Sequence, residues 1–327
     1  MVNDESWERN SELVRFVREL AGVVGTSVRP HLGSAASKGI EGRGASGDAT
    51  FSIDHVAERV VEEFLSGHAE FAYYTEDRGL VVLGEPRYVL VIDPIDGTRP
   101  AAAGLESCCV SVAVAEFVAD PETLTVEDVF LGVVSEIKND AAFLAIKGSG
   151  VRIDIEGEQI SPRLSEKTEL GNIFWTAGFR GRPAEPLVTV IGELIDLSSV
   201  DGGCFDLGSA TFSITRVVKG EMDVYVDVGQ RMAEESGAVR DRFLEVGHGA
   251  ILNNYPYDLA AAALIAEESG AVVSDAYGRP LGTCPLIPRQ GGGQMSSIVS
   301  ANPVLHQKVL EHVEGGIARL KARYGSL

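Results

Sequence analysis

Two aspartates three positions apart, Asp93 and Asp96, follow an apolar run at residues 88–92. The run predicts a buried strand that delivers Asp93 to its end. The glycine at Gly97 lets the backbone come close to a ligand, and its amide and that of Thr98 can point at an anion. Two carboxylates beside two such amides suit a divalent cation together with a phosphate. Taken alone, the same pattern also describes a strand followed by an acidic turn. The choice between a metal site and a simple turn therefore depends on other parts of the chain.

Three further acids are predicted to lie at the ends of elements. Asp54 and Asp258 fall in the first turns of helices, and Glu76 follows a short strand. Mg²⁺ prefers oxygen ligands in octahedral geometry at about 2.0–2.1 Å, and pairs of metal ions about 3.5–4 Å apart are common in phosphoester cleavage. Asp93 is the natural bridging ligand, and the backbone carbonyl of Ile95 comes from the same turn. The acids therefore predict a metal site in one crevice.

The elements that would position these acids form an α/β chain. We predict that residues 1–160 form an N-terminal α+β domain with a large antiparallel sheet and the metal-binding motifs. Residues 161–327 are predicted to form a C-terminal α/β domain that completes the site. Residues 33–49 are interpreted as a functional loop, and residues 229–254, which show no clear period, as an inserted segment over the site. The predicted helices span about 7–24, 52–66, 184–197, 210–219, 257–268 and 303–323. The predicted strands span 71–75, 88–92, 107–117, 126–136, 141–147, 172–176, 222–228, 271–274 and 297–300.

Composition narrows the class of protein. The 327 residues carry a formal net charge of −20, which argues against nucleic acid as a partner because a phosphate backbone needs a basic surface. There is no run of about 18 apolar residues, so no membrane span is expected, and the polar, acidic start is unlike a secretory signal. The four cysteines lack C-x-x-C spacing, which favours buried thiols in a reducing cytoplasm.

Several short motifs then occur in a fixed order over residues of about 47 to 280, and with them the chain resembles the inositol monophosphatase superfamily of metal-dependent phosphatases. That group includes inositol monophosphatases, archaeal-type fructose-1,6-bisphosphatases, histidinol-phosphate phosphatases and bisphosphate nucleotidases. The matching motifs are Gly47-Asp48-Ala49-Thr50 leading to Asp54, Thr75-Glu76-Asp77, Asp93-Pro94-Ile95-Asp96-Gly97-Thr98, Gly208-Ser209-Ala210, Tyr257-Asp258-Leu259-Ala260-Ala261 and Glu268-Ser269-Gly270.

The resemblance implies a sugar-phosphatase fold, an αβαβα sandwich of two domains, and two or three Mg²⁺ ions. By the same resemblance, Glu76, Asp93 and the Ile95 carbonyl hold the first ion. Asp93, Asp96 and Asp258 hold the second. Glu76 with Asp77 can help a third, weaker ion. The family likeness also implies a homodimer.

The catalytic residues implied by the resemblance are Thr98, Asp54 and Glu76. Thr98, hydrogen-bonded to Asp54, would orient and deprotonate the attacking water. The amides of Gly97 and Thr98 would hold the phosphate, and Asp96, Ala210 and Asp258 complete the implied substrate-binding set. Attack is expected in line, without a phosphoenzyme, because positioning and charge neutralisation carry phosphoryl transfer.

The chain departs from the family pattern at several places. Pro100 replaces the usual Asn two positions after the motif threonine, and Asp77 is shorter than the usual Glu. Arg43 stands roughly where the family has a loop lysine. The segment 229–254 is longer than the family norm, and substrate contacts usually lie there. Asp227 and Arg231 resemble residues of the archaeal-type bisphosphatases and are interpreted as possible substrate contacts.

We therefore expect a phosphoric monoester hydrolase that uses Mg²⁺ to cleave a small inositol, polyol or sugar phosphate. The alternative substrates are fructose 1,6-bisphosphate or a 3′(2′),5′-bisphosphate nucleotide. Either would need a basic pocket, for which Arg99, Arg231 and Arg240 are the candidates. A rival from another class is a catalytically silent regulator that binds a metal or metabolite. Its signature would be the loss of an acid or of Thr98, and the sequence retains them all.

Overall fold

The structure is a computed structural model that describes residues 4–44, 47, 49–289 and 292–326. Asp48, part of the first motif, lies outside the described residues. Within them the α-helices, in chain order, are α1 (Asp4–Arg9), α2 (Ser11–Val28), α3 (Ser52–Leu65), α4 (Thr98–Ala103), α5 (Ala184–Leu197), α6 (Ala210–Lys219), α7 (Gly229–Glu235), α8 (Gly237–Val246), α9 (Pro256–Glu268) and α10 (Pro303–Tyr324).

The strands fall into a hairpin and two larger sheets. In chain order they are β1 (Ile40–Arg43), β2 (Ala49–Phe51), β3 (Phe71–Thr75), β4 (Gly79–Val82), β5 (Tyr88–Asp96), β6 (Cys109–Glu116), β7 (Leu131–Glu136), β8 (Ala141–Ile146), β9 (Val151–Ile155), β10 (Glu158–Ile160), β11 (Phe174–Ala177), β12 (Gly203–Phe205), β13 (Val224–Asp227), β14 (Val272–Ser274) and β15 (Ser297–Ser300).

The larger sheet has the strand order β10-β9-β8-β7-β6-β5-β3-β4. Its neighbours pair antiparallel except for β3 and β5, which run parallel. Because β3 and β5 point the same way, the residues that follow them emerge at the same edge of the sheet. This parallel pair therefore brings Glu76 to the same edge as Asp93.

Both faces of the larger sheet are covered, which explains why its strands are apolar on both sides. Alternate residues of β5 face opposite ways: Leu90 and Ile92 pack with the apolar stripes of α2 and α3, whereas Val89 and Val91 pack with α6 and α9. The side chains are consequently split between two hydrophobic cores that sandwich the sheet.

The smaller sheet, in the order β12-β11-β13-β15-β14, forms the next layer. Tyr225 and Val299 face the α6–α9 layer, while Val224, Val226 and Ile298 face α5 and α10 in a third core. The layers therefore follow one another as helices, sheet, helices, sheet, helices. This is the predicted αβαβα arrangement.

Helix α9 lies unusually close to the larger sheet. A Cβ added to Gly132 on β7 would stand 2.8 Å from the carbonyl oxygen of Ala261, so only glycine fits there. The alanines from Ala260 to Ala263 are fully or nearly fully buried. Their small side chains allow the helix to approach the strands closely. The start of α9, which carries Asp258, is thereby fixed against β5 and β6.

Two predictions about the elements need correction. Residues 229–254 contain α7 and α8, whose Met232, Val239 and Phe243 are buried; the helices are too short to show a clear period. The predicted loop at 33–49 contains β1 and the first residue of β2, which pair as a hairpin. Residues 151–160, at the end of the predicted N-terminal domain, supply β9 and β10 to the larger sheet.

The division of the chain at residues 160 and 161 stays a prediction. In its favour, every strand of the larger sheet precedes residue 161. Against a simple division, α6 and α9 come from the second half but pack on the larger sheet. Among the described residues, the helices are all too short or too polar to cross a bilayer.

Candidate active site

The acidic motif sits where the ladder between β5 and β6 is interrupted. Pairing is regular up to Asp93 opposite Ser111 and resumes at Asp96 opposite Cys109. The break follows from Pro94, which has no N–H to donate to the ladder. At this interruption, the Oδ1 of Asp93 accepts a hydrogen bond from the backbone N–H of Ile95 at 2.9 Å.

Asp96 is held by the start of α6. Its Oδ2 accepts hydrogen bonds from the Ser209 hydroxyl at 2.7 Å and from the Thr211 backbone N–H at 2.6 Å. Ser209 is also the N-cap of α6, since its hydroxyl oxygen accepts the N–H of Phe212 at 3.0 Å. One serine thus caps a helix and orients an acid from the other half of the chain.

Asp258 is placed by the start of α9. It is the third residue of that helix, and its Oδ2 accepts the N–H of Tyr255, the residue before the helix, at 2.6 Å. Asp54 stands in the same position of α3, where its Oδ2 accepts the N–H of Phe51 at 2.7 Å. Both acids satisfy an otherwise unpaired donor and are favoured by the helix dipole.

Asp93, Asp96 and Asp258, which we call the acidic triad, converge. Each offers a carboxylate oxygen, and these oxygens all lie within 4.8 Å of one another. The side chains are 6 %, 6 % and 9 % exposed. Burial, followed by the charges of Asp258, Asp96 and Glu76, raises the pKa of Asp93 well above its usual value. Burial and the charge of Asp96 likewise raise the pKa of Asp258.

Three buried carboxylates at this spacing fit a divalent cation. As bare anions they would repel each other at a cost that their hydrogen bonds do not remove. An oxygen-preferring cation between them offsets both the repulsion and the lost hydration, and hard cations such as Mg²⁺ take carboxylate ligands. The donor set therefore suits the metal predicted from the sequence.

Thr98 and Asp54 meet beside the triad. The Thr98 hydroxyl lies 3.1 Å from the carbonyl oxygen of Ile95, to which it donates. Burial raises the pKa of Asp54 to about 7, and hydrogen bonds with the Phe51 backbone and the Thr98 side chain lower it. The single hydroxyl proton of Thr98 can serve either the Ile95 carbonyl or Asp54.

These residues line a pocket that we call the catalytic hollow, which holds about 390 Å³ of empty space. Glu76 and Asp93 lie in its wall, and the hydroxyl of Thr50 donates to Asp77 at 3.0 Å. Burial raises the pKa of Glu58 to about 7 in the same place. The complete lining is Ala49, Thr50, Asp54, Glu58, Glu76, Asp77, Asp93, Pro94, Ile95 and Thr98.

A second pocket, which we call the recognition hollow, contains Asp96 and Asp258 of the triad, whereas Asp93 lies in the catalytic hollow. Asp96 and Asp258 form its acidic wall, and Ala210, predicted to contact the substrate, also lies in its lining. Its complete lining is Asp96, Ala177, Gly178, Phe179, Arg180, Arg182, Asp206, Gly208, Ser209, Ala210, Ser213, Tyr225, Asn254 and Asp258.

The turn at Gly97 joins the triad to α4. Its φ of 93° is left-handed, and a Cβ there would stand 2.4 Å from the carbonyl oxygen of Ser107. Only glycine fits, so the chain can turn sharply after Asp96 and place Thr98 beside the acids.

The arginines that the sequence suggested for a basic pocket lie elsewhere. Arg231 pairs with Glu314 and donates to the Ala276 carbonyl at 2.7 Å, so it ties α7 to α10. Arg240 is exposed on α8. Arg99 lies over the ring of Phe51 at 5.3 Å. The basic residues of the recognition hollow are instead Arg180 and Arg182.

Sequence reasoning missed both of these arginines. They occur in Gly178-Phe179-Arg180-Gly181-Arg182, directly after β11. A glycine-rich turn with charged residues at the end of a strand is the usual setting of a functional side chain in α/β proteins, and this signal was available. Asn254, three positions before the predicted helix at 257–268, carried no comparable signal.

Comparison with known proteins agrees with this geometry. A sequence model described as the inositol monophosphatase family matches residues 9–318. The chain belongs to this family. The family is metal-dependent and acts on small phosphorylated substrates, and the described residues include an acidic cluster suited to a metal.

Two curated relatives come from archaea. The chain is 26% identical over 301 residues to the fructose-1,6-bisphosphatase/inositol-1-monophosphatase of Methanothermobacter thermautotrophicus, with 90% of this chain and 94% of that protein covered. It is 24% identical over 307 residues to the bifunctional NADP phosphatase/NAD kinase of Methanocaldococcus jannaschii, with 86% of this chain covered. The match spans only 47% of that longer relative.

Among solved structures, the Thermotoga maritima IMPase superposes with a TM-score of 0.64 at 21% identity. The superposition covers 94% of this chain and 99% of the other. It shows that the layered fold is shared.

Proposed function

We propose that this protein is a Mg²⁺-dependent phosphoric monoester hydrolase that acts on a small sugar, inositol or polyol phosphate. The observation that carries the proposal is the acidic triad, whose oxygens lie within 4.8 Å of one another beside the Thr98–Asp54 pair. A buried acidic site without a hydroxyl and a carboxylate such as those of Thr98 and Asp54 beside it would suit a binding protein equally well. The pair gives this site a means of orienting water.

Glu76, Asp93, the Ile95 carbonyl, Asp96 and Asp258 are the proposed metal ligands. When bound there, Mg²⁺ neutralises the charge of the phosphoryl group and makes water a better nucleophile. The hydrogen bonds from Ile95, Ser209, Thr211 and Tyr255 to the triad fix the orientation of the three carboxylates. The chain thus supplies a preorganised ligand set.

In the proposed reaction, Thr98 and Asp54 act on the attacking water from the catalytic hollow. If the Thr98 proton turns to Asp54, a lone pair of the hydroxyl oxygen is left to accept a hydrogen bond from water. The backbone amides of Gly97 and Thr98 hold the phosphate, as the resemblance implies. Glu76, in the wall of the same hollow, helps to orient the water.

In-line displacement sets the attacking and leaving oxygens on opposite sides of phosphorus. Water held by Thr98 in the catalytic hollow therefore directs the leaving alcohol away from Thr98, towards the recognition hollow. The recognition hollow is lined by polar and charged side chains that a hydroxylated group can contact. Ala210 and Asp206 in its lining would contact the hydroxylated part of the substrate.

The test is phosphate release by the purified protein from a panel of sugar, polyol, nucleotide and amino-alcohol phosphates, with Mg²⁺ and with EDTA. We expect Mg²⁺-dependent release from at least one sugar or polyol phosphate. The matched control is Asp258→Asn, which keeps the side-chain shape but removes the charge. Tight Mg²⁺ binding without release from any substrate would favour the silent regulator instead.

We further propose a cytoplasmic homodimer, supported by the reduced cysteines predicted from the sequence and by the family likeness. Among the described residues, Cys108 and Cys109 are buried and the four cysteines are all unbridged. Size-exclusion chromatography with light scattering tests the dimer, which a monomeric mass would contradict.

A further inference from the structure

Glu58 is a buried acid of the catalytic hollow that the proposed reaction does not use. Its side chain lines the hollow together with Glu76 and Asp77. It stands on α3 one turn after Asp54, so the two acids share a face of the helix. Burying a carboxylate is costly unless charges or hydrogen bonds compensate it, so the partners of Glu58 indicate what it does.

Glu58 has partners on both sides of the turn that carries Glu76. Burial raises the pKa of Glu58 to about 7, and a hydrogen bond from the Thr75 side chain opposes that rise. On the other side of the turn, Oε2 of Glu58 lies 3.5 Å from Nε of Arg78, which makes an ion pair. Thr75 and Arg78 bracket Glu76 and Asp77 in the sequence. One carboxylate of α3 is thus linked to both ends of this turn.

The hydroxyl of Thr75 closes the turn. Thr75 is fully buried at the end of β3, and its Oγ1 accepts the backbone N–H of Arg78 at 3.3 Å. A hydroxyl has one proton to donate. Because that proton is given to the Glu58 carboxylate, a lone pair of the oxygen stays directed at the N–H of Arg78. Glu58 therefore fixes the orientation of the hydroxyl that holds the turn together.

Arg78 contacts a second glutamate of α3, and the two differ in burial. Its guanidinium donates to Glu62, one turn further along the helix, at 2.7 Å. The side chain of Glu62 is 52 % exposed, whereas that of Glu58 is 7 % exposed. An exposed ion pair is screened by water and contributes little, whereas a buried pair is screened less. The two glutamates therefore contact the same arginine, but Glu58 alone of the two lines the hollow.

The links of Glu58 set where Glu76 lies relative to the other proposed catalytic groups. Asp54, on the same face of α3, meets Thr98 in the catalytic hollow. The turn that carries Glu76 is tied to the same helix through Glu58. A functional site works only when surrounding contacts hold its side chains within about 0.5 Å of the productive geometry. Helix α3 is thus a common support for the pair that orients water and for Glu76.

We propose that Glu58 is a positioning residue that holds the proposed metal ligand Glu76 in the place that metal binding requires. The inference rests on the proposed function and adds to it a residue that acts through the two neighbours of the Glu76 turn. Because Glu58 is not itself one of the proposed ligands, its replacement should weaken metal binding while every ligand stays in the chain.

The test compares the wild type with three variants at about pH 8, above the pKa of Glu58. Glu58→Met keeps the length of the side chain but removes both links, whereas Glu58→Gln keeps a hydrogen-bond acceptor for Thr75 and removes the charge. The matched control is Glu62→Gln, which changes the exposed partner of Arg78. Calorimetric titration with Mn²⁺ in the absence of substrate gives the Kd of the metal. Phosphate release from the best substrate of the panel gives the Mg²⁺ concentration for half-maximal rate.

In Glu58→Met we expect the Kd for Mn²⁺ and the Mg²⁺ requirement to rise about 10-fold, as when groups that support metal ligands are replaced. Glu58→Gln should lie between this variant and the wild type, and Glu62→Gln should change both quantities less than ~2-fold. The unfolding temperature of Glu58→Met in EDTA should fall by no more than a few degrees, because an apolar side chain of similar volume replaces a buried carboxylate. A role in stability alone would lower that temperature and leave the metal affinity of the folded variant unchanged.

A folded Glu58→Met variant that binds Mn²⁺ as tightly as the wild type would overturn the role of Glu58, and so would an equal loss of affinity in Glu62→Gln. The phosphatase function would stand in both cases. A wild type that binds Mn²⁺ but releases phosphate from no substrate of the panel would instead refute the proposed function, while the calorimetric comparison still decides the role of Glu58. If Glu58→Met does not fold, Glu58→Gln carries the test, and wild-type affinity in that variant would overturn the role.

Discussion

The catalytic hollow contains Asp93 of the acidic triad and the recognition hollow contains Asp96 and Asp258, and the two hollows are assembled in different ways. The lining of the catalytic hollow falls within residues 49–98. The lining of the recognition hollow is drawn from separate stretches between residues 96 and 258. Most groups proposed for chemistry are thus set by strand ends and helix starts that lie near one another in sequence, and of these groups Asp258 alone comes from the second half of the chain. The groups proposed for recognition come together only when the second half of the chain packs on the first.

The sharpest way to break this comparison is to replace Asp93, the triad acid in the lining of the catalytic hollow. Asp93→Asn should lower kcat at least ~1,000-fold, because a neutral amide is a poor ligand for Mg²⁺. The same change should leave the unfolding temperature in EDTA equal to or above that of the wild type, because it removes one of three repelling buried charges. It should also abolish most of the rise in unfolding temperature that Mg²⁺ produces.

Thermal unfolding with EDTA and with Mg²⁺, beside a kcat measurement, checks both parts of this prediction. A variant that keeps wild-type turnover would refute the ligand assignment. A variant that is strongly destabilised in EDTA would instead show that Asp93 has a structural role that the repulsion does not describe.

The variant Thr98→Ala tests the catalytic hollow alone. We expect kcat to fall ~100-fold or more, the usual contribution of a positioned proton-transfer group, while KM changes only a few-fold. Thr98→Ser, which retains the hydroxyl, should recover most of the rate. An equal loss in the Ser variant would show that the methyl group, and not the hydroxyl, is what matters.

The sequence was enough to predict that these acids and Thr98 lie close together, because the relevant physics is local. The apolar run before Asp93 indicates a buried strand, and Gly97 allows the left-handed turn that brings Thr98 beside the acids. Asp54 and Asp258 were recognisable as acids in first helical turns. Their convergence follows once β3 and β5 run parallel and α9 lies against the sheet.

The recognition hollow could not be predicted from the sequence in the same way. Arg182 and Asp227 are 45 positions apart and pair only in the folded protein, and Asn254 joins them from a third segment. Arg231 looked equally suitable in the sequence, but it is occupied by Glu314 and the Ala276 carbonyl. The glycine-rich turn after β11 marks Arg180 and Arg182 as candidates, but which arginines face a hollow depends on the pairing of β11 with β13, which no local pattern reveals.

The recognition side is tested separately by Asp206→Asn. Asp206 lies in the hollow, and its carboxylate accepts the Gly208 backbone N–H at 3.0 Å. We expect KM for the best substrate of the panel to rise about 3- to 10-fold, the effect of one weakened hydrogen bond of ~1 kcal/mol, with kcat changed less than KM. A fall in kcat as large as that of Thr98→Ala would mean that the two hollows are not functionally distinct.

The smallest effect expected concerns pH and lies outside both hollows. His306 on α10 is buried between the hydroxyls of Ser274 and Ser300, and burial lowers its pKa from 6.5 to about 4. The unfolded chain takes up this proton first, so the contribution to stability is present above pH 6.5 and is lost as the pH falls towards 4. The unfolding temperature should therefore decline through this window.

Replacing His306 by Gln should make that decline shallower, as measured by unfolding temperature from pH 7 to pH 4. The rate profile of the enzyme should keep its shape, which separates stability from chemistry. An unchanged dependence of the unfolding temperature on pH would show that His306 is not the group responsible.

The most direct measurement of the central idea is diffraction from crystals of the wild-type protein grown with Mn²⁺, which stands in for Mg²⁺ and scatters anomalously. We predict anomalous density between the carboxylates of Asp93, Asp96 and Asp258, with oxygen ligands at roughly 2.0–2.3 Å. Crystals of Asp93→Asn should lack most of it. Ordered crystals of the wild type with no anomalous peak at these three acids, or with the metal bound elsewhere, would contradict a metal-centred active site.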